Sequence, residues 1–132
     1  MYRTMVWASA ILLIAVALGA FGAHGLGERL TPQALGQWNT GVQYQFYHGL
    51  ALFGLALFWE KTTGKGRIWA RLFFLLGVLC FSGSLYLLST RELLGLQDMT
   101  PLLGPVTPLG GLFFMAGWLV LLITALRGQA AR

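Results

Sequence analysis

Charge is what this chain has least of. Four acidic and nine basic residues among 132 put charged side chains at 10%, against about 25% in soluble domains. A water-facing shell of ordinary density is excluded, and 57% hydrophobic residues point to a bilayer protein. Cysteine occurs once, at Cys80, which excludes an internal disulfide and any cysteine-based metal site. Its expected place is a small apolar position in a membrane helix. The long apolar runs hold no acidic residue, so an ion carrier would have only His24 and His48 as ionisable groups at depth.

What is present fills four stretches free of Asp, Glu, Lys and Arg: residues 4–23, 30–59, 72–90 and 99–126. Each holds the roughly 20 apolar residues that cross about 30 Å of hydrocarbon as a helix. None alternates apolar with polar as a spanning strand would, and helices satisfy their own backbone groups in lipid. The predicted fold is an all-α membrane protein, a four-transmembrane-helix bundle forming one integral membrane domain over residues 1–132. Its spans fall at about 4–23, 41–60, 68–90 and 108–126, with an interfacial helix at 32–40.

The net charge of +5 raises the question of nucleic acid, and the placement of the charges answers against it. With a cytoplasmic N-terminus, the inner side holds Arg3, Lys61, Lys65, Arg67, Arg71, Arg127 and Arg132 against Glu60. The outer side holds Arg29 and Arg91 against Glu28, Glu92 and Asp98. This positive-inside asymmetry predicts that both termini are cytoplasmic. Residues 1–23 have a basic start, an apolar run and small residues near Ala23, as a signal peptide does, but the apolar run is long for one. They are expected to be a retained span.

Along the chain, Ala15, Gly19 and Ala23 form a small-residue stripe suited to close helix contact. Gly22 and Gly25 around His24 are expected to end the first helix. Thr31 followed by Pro32 reads as an N-cap and first-turn proline, with Trp38 expected at headgroup level. Pro101, Pro105 and Pro108 predict no regular helix over residues 99–107, so the last helix is expected to begin at Pro108.

The most distinctive stretch is residues 38–52, W-N-T-G-V-Q-Y-Q-F-Y-H-G-L-A-L. On a helix, Gln37, Gly41, Tyr44 and His48 share one face, with Gln45 at its edge. Given the topology, His24, Asn39, Tyr44, Gln45, His48, Ser82, Ser84, Tyr86 and Thr107 all fall in the outer half of the membrane, while the inner halves are almost entirely apolar. Polar groups at such depth need partners. Either they bond across helices and fix one packing, or they line a pocket open outward or sideways to lipid. Two histidines make a poor metal site without further ligands. A Ser84 nucleophile with His48 as base lacks an orienting acid.

Four segments in order resemble the YgdD-like family of small inner-membrane proteins: G-A-F-G-A-H-G-L (residues 19–26), the 38–52 stretch, F-S-G-S-L-Y (81–86) and G-P-V-T-P-L-G-G-x-x-F-x-x-G-W (104–118). The resemblance covers nearly the whole chain. It implies four spans and a plasma-membrane location, and no activity, cofactor or catalytic residue. The expected function is a structural or lipid- or small-molecule-binding bundle rather than an enzyme, with membrane lipids as partners and a homo-oligomer or larger membrane complex as further ones. The alternatives are an oligomeric channel or transporter component for a small neutral solute and an accessory subunit of a larger complex.

Overall fold

The computed structural model describes residues 1–62 and 64–130; Arg132, counted above among the inner charges, lies outside them. Among the described residues all regular structure is helical. Helix α1 (Tyr2–Phe21) runs on through a wide π-type turn, Gly22–Leu26, rather than stopping at the glycines. Helix α2 spans Pro32–Leu57 without a break at the expected interfacial boundary. Thr31 caps it as expected, its hydroxyl accepting from the Ala34 N–H at 3.2 Å ahead of Pro32. Helix α3 (Gly66–Gly77), a second π-type turn (Val78–Ser82) and α4 (Gly83–Ser89) form one rod. Short α5 (Arg91–Leu94) ends at Gly95, whose φ of +67° suits glycine.

Helix α6 corrects the sequence expectation, because it begins at Thr100 and reaches Ala130 with Pro105 and Pro108 inside it. The two prolines forfeit the bonds to the carbonyls of Pro101 and Gly104. Both carbonyls lie in the first turns of the helix, near the end of the rod. The same stretch is held from the side by Thr107 and Gly110, described below.

Three rods are long and apolar enough to cross a membrane: Tyr2–Leu26, Gly66–Ser89 and Gln97–Gly128. Helix α2, with 26 residues, is about 39 Å long. Its glutamines and Asn39 make it less apolar than those three.

Helix α1 lies along α2, and α3 lies along α6. The two pairs join where α2 meets the π turn and α4. On α2 the buried positions are Trp38, Gly41, Gln45, His48, Leu52 and Leu55, with Gly49 and Ala56 beside them. That is a repeat of three and four residues, the spacing of a helix seam. On the third rod, Ala70, Phe74 and Gly77 face inward, and the π turn advances the buried face by one residue to Ser82 and Leu85.

The centre is an apolar cluster of Ala8, Ile11, Leu52, Phe74 and Phe114. Here α3 and α6 exchange rings for glycines. A Cβ at Gly77 would collide with the Phe114 ring, and one at Gly117 would lie 2.6 Å from Phe74. Each bare glycine backbone is the floor on which the opposite phenylalanine rests.

Candidate functional site

The sequence places amides and hydroxyls where four rods meet, and the fold gives them partners. Gln45, 4% exposed, uses both ends of its amide. Its Nε2 donates to the backbone carbonyl of Ile11 in α1 at 2.9 Å, and its Oε1 accepts from the Tyr86 hydroxyl in α4 at 2.8 Å. One side chain of α2 thus ties together three helices. The Ile11 carbonyl serves as a second-lone-pair acceptor inside its own helix. Gly41 makes room for this arrangement, since a Cβ there would lie 2.9 Å from the Tyr86 ring. The Gly41 carbonyl also accepts from the Ser82 hydroxyl at 2.7 Å.

One turn before Gly41, Trp38 is buried. Its indole N–H donates to the Leu18 carbonyl at 2.9 Å, and its ring lies 4.6 Å from that of Tyr86. Gly22 makes room for it. Any side chain there would sit where the indole now is, 2.6 Å from its Nε1. The close contact of α1 with α2 therefore runs through Ala15 and Gly22, while Ala23 of the expected stripe is exposed.

On the other side of α2, His48 is enclosed by α6. Its ring stacks on Phe114 with centroids 3.4 Å apart and planes within 6°. Trp118 donates its indole N–H to Nε2 at 3.2 Å, and Nδ1 lies 2.9 Å from the Tyr44 carbonyl. An indole only donates, so Nε2 is the acceptor and Nδ1 carries the hydrogen given to Tyr44. The Ser84 hydroxyl donates to the Phe81 carbonyl at 3.0 Å and lies 2.6 Å from the Thr107 hydroxyl. With its one hydrogen spent on Phe81, Ser84 accepts from Thr107.

Of the nine residues singled out in the sequence, Gln45, His48, Ser82, Ser84, Tyr86 and Thr107 belong to this bonded seam. Tyr44 contributes its carbonyl and a ring 4.5 Å from Phe81. His24 and Asn39 are exposed and make no side-chain hydrogen bond among the described residues. The centre of the seam passes through Gln45 rather than Tyr44, one residue round the helix from the expected face. Trp38 and Trp118 are the members sequence reasoning missed. The three-and-four spacing from residue 38 to residue 55 was the available signal.

The seam has little free chemistry. Ser84 and His48 bond to separate partners and not to each other. Among the described residues, no three of His, Cys, Asp and Glu gather to hold a metal. The buried side-chain nitrogen without a partner there is Nε of Arg67. That guanidinium lies 4.8 Å over the Trp59 ring while its NH1 donates to the Trp59 carbonyl at 2.7 Å. At the same end Arg71 reaches Thr4 of α1 at 3.4 Å. A lateral groove of about 430 Å³ opens between α2 and α6, bordered by Tyr44, His48, Phe81, Phe114 and Trp118.

Residues 18–111 match a family model described as "Protein of unknown function (DUF423)". The chain is 41% identical over 116 residues to the UPF0382 membrane protein YwdK of Bacillus subtilis, covering 87% of this chain and 89% of that protein. It is 41% identical over 115 residues to UPF0382 membrane protein SH2409 of Staphylococcus haemolyticus, at 87% and 88% coverage. To the UPF0382 inner membrane protein YgdD of Escherichia coli K12 it is 39% identical over 123 residues, at 93% and 88%. No solved structure matches. The matched segment contains Trp38, Gln45, His48, Ser82, Ser84, Tyr86 and Thr107, and leaves Ile11, Phe114 and Trp118 outside.

Proposed function

We propose a structural role for this chain, which belongs to the DUF423 family of UPF0382 membrane proteins: a rigid four-span bundle of the inner, or plasma, membrane that acts through its outer faces rather than through an interior site. The observation that carries this reading is the pairing of the seam. Among the described residues every buried side-chain nitrogen or oxygen except Arg67 Nε has a hydrogen-bond partner. A binding interior keeps groups in reserve for its ligand, and this one spends them on neighbouring helices.

Helix α2 is the fourth span in this reading. Gln45 and His48 in its middle are buried against protein, which is how such polar groups are tolerated at depth, while Asn39 and Gln43 are exposed. The concentration of basic residues at the end bearing residues 59–71 and 127 supports cytoplasmic termini. Large apolar side chains cover the outer faces, among them Leu13, Val16, Leu112, Met115 and Leu119. They serve as the contact surface for lipid, for further copies of the chain, or for a larger membrane complex to which the bundle is an accessory.

The lateral groove beside His48 favours a second reading, in which a lipid chain or small apolar molecule lies against Tyr44, Phe81 and Trp118. An oligomeric channel would need several copies, because the interior of one bundle is occupied.

Native mass spectrometry of protein taken from its own membrane, combined with photo-crosslinking from Leu13 and Leu112, tests the structural role. The expected result is crosslinking to a discrete protein partner and no stoichiometric small molecule whose retention depends on Gln45. A small molecule lost on Gln45→Leu in a still-folded protein would overturn it.

A further inference from the structure

At the end of the molecule opposite the seam, the start of α3 and the last turns of α6 border a cavity of about 550 Å³, within the range of ligand sites at about 300–1,000 Å³. Its two charged linings are Lys65 and Arg127, and no acidic side chain borders it. The neighbouring cations Arg67 and Arg71 are turned toward Trp59 instead. Among the described residues neither Lys65 nor Arg127 makes a side-chain hydrogen bond or ion pair. The remaining wall is apolar, built from Trp69, Val120 and Ile123.

Gly66 keeps the two helices close at the cavity's neck, where a Cβ would strike Thr124. Thr124 directs its own hydroxyl to the Val120 carbonyl at 2.7 Å, so the cavity presents cations above and hydrocarbon below. The two helices that form it belong to rods able to span the membrane. Their ends therefore lie where hydrocarbon gives way to headgroups.

We propose that this cavity binds an anionic glycerophospholipid. Its phosphodiester sits between Lys65 and Arg127, and an acyl chain runs along Trp69, Val120 and Ile123. The charge pattern selects the lipid class. A phosphodiester without an amine, as in phosphatidylglycerol, satisfies both cations. Phosphatidylcholine brings a quaternary ammonium into the same basic pocket. The apolar wall commits the site to a lipid rather than a free anion. Simple interfacial anchoring, the ordinary role of basic residues at helix ends, does not require a cavity between two helices. The inference depends on the ends of α3 and α6 and stands whichever way the bundle is oriented.

Native mass spectrometry of full-length protein given equal amounts of phosphatidylglycerol and phosphatidylcholine provides the test. We expect one tightly retained phosphatidylglycerol, favoured by tenfold or more. At about fivefold per basic residue, the K65Q/R127Q double variant should reduce that preference to about twofold or less. The R29Q/K61Q variant has the same net charge and should keep it. Both variants change exposed side chains, and helical circular dichroism checks that each folds. Equal retention of the two lipids by the unaltered protein would overturn the proposal, as would equal losses in both variants. Displacement of the lipid by millimolar inorganic phosphate would overturn the commitment to a lipid. None of these outcomes bears on Gln45, so failure here is separable from failure of the structural role.

Discussion

Trp118 donates its indole N–H to Nε2 of His48 across 3.2 Å, and with that one contact α6 fixes the hydrogen of an imidazole carried by α2. The remaining ring nitrogen must then donate to the Tyr44 carbonyl, and Phe114 covers the ring face. Both nitrogens of the histidine are engaged in structure. This is the local form of what the whole seam does, which is to turn groups that resemble catalytic or ligand-binding chemistry into ties between helices.

The tautomer can be observed directly. In selectively ¹⁵N-labelled protein, His48 should give the signature of the neutral ring protonated at Nδ1, with Nε2 as the unprotonated nitrogen. Trp118→Phe should shift the Nε2 resonance and lower stability by about 1 kcal/mol, the usual net value of one hydrogen bond. A ring protonated at Nε2 would contradict the assignment.

The glycines divide into two classes with opposite expectations. A Cβ at Gly110 would lie 2.7 Å from the Phe81 Cα, with backbone rather than a flexible side chain in its way. Gly110→Ala should therefore cost about 1–3 kcal/mol through helix displacement. Nothing lies within 4 Å of a Cβ at Gly83, and Gly83→Ala should be neutral or stabilising by up to about 1 kcal/mol from helix propensity. Unfolding curves in one detergent compare the two. Equal effects would mean that α6 does not rest on the Val78–Ser82 turn.

Topology separates a fourth span from a helix lying along the membrane. In a Cys80→Ala background, cysteine introduced at Glu28 should react with a membrane-impermeant thiol reagent added outside intact cells. Cysteine at Lys61 should react only after the cells are opened. Labelling of both from outside would mean that α2 does not cross.

Much of this was legible in the residues and some was not, for physical reasons. Charge-free runs announced membrane helices, and Thr31-Pro32 announced the start of α2. Residues 38–52 were marked as the place where polar groups gather. The centre of the α2 seam was misplaced by one residue because its buried face mixes Trp38, Gly41, Gln45 and His48 with leucines, so no contrast in hydrophobicity marks it. The Val78–Ser82 turn has no signature residue, yet it sets which serines face inward. Pro105 and Pro108 looked like helix breakers because proline's cost is judged in a helix interior, whereas these two act near a helix start. The burial of Trp38 was not legible because the vacancy that receives it, at Gly22, belongs to another helix.

The bond from Tyr86 to Gln45 is the most direct point at which to test the account, because it joins helices of different hairpins through side chains alone. A double-mutant cycle with Gln45→Leu, Tyr86→Phe and the pair, read as unfolding free energies in the same bilayer mimic, isolates that bond. The account predicts that each single change destabilises and that the two are coupled by about 0.6–1.7 kcal/mol, the range for hydrogen bonds between membrane helices. Additivity to within about 0.3 kcal/mol would show that the seam does not hold the bundle together, and would contradict the account.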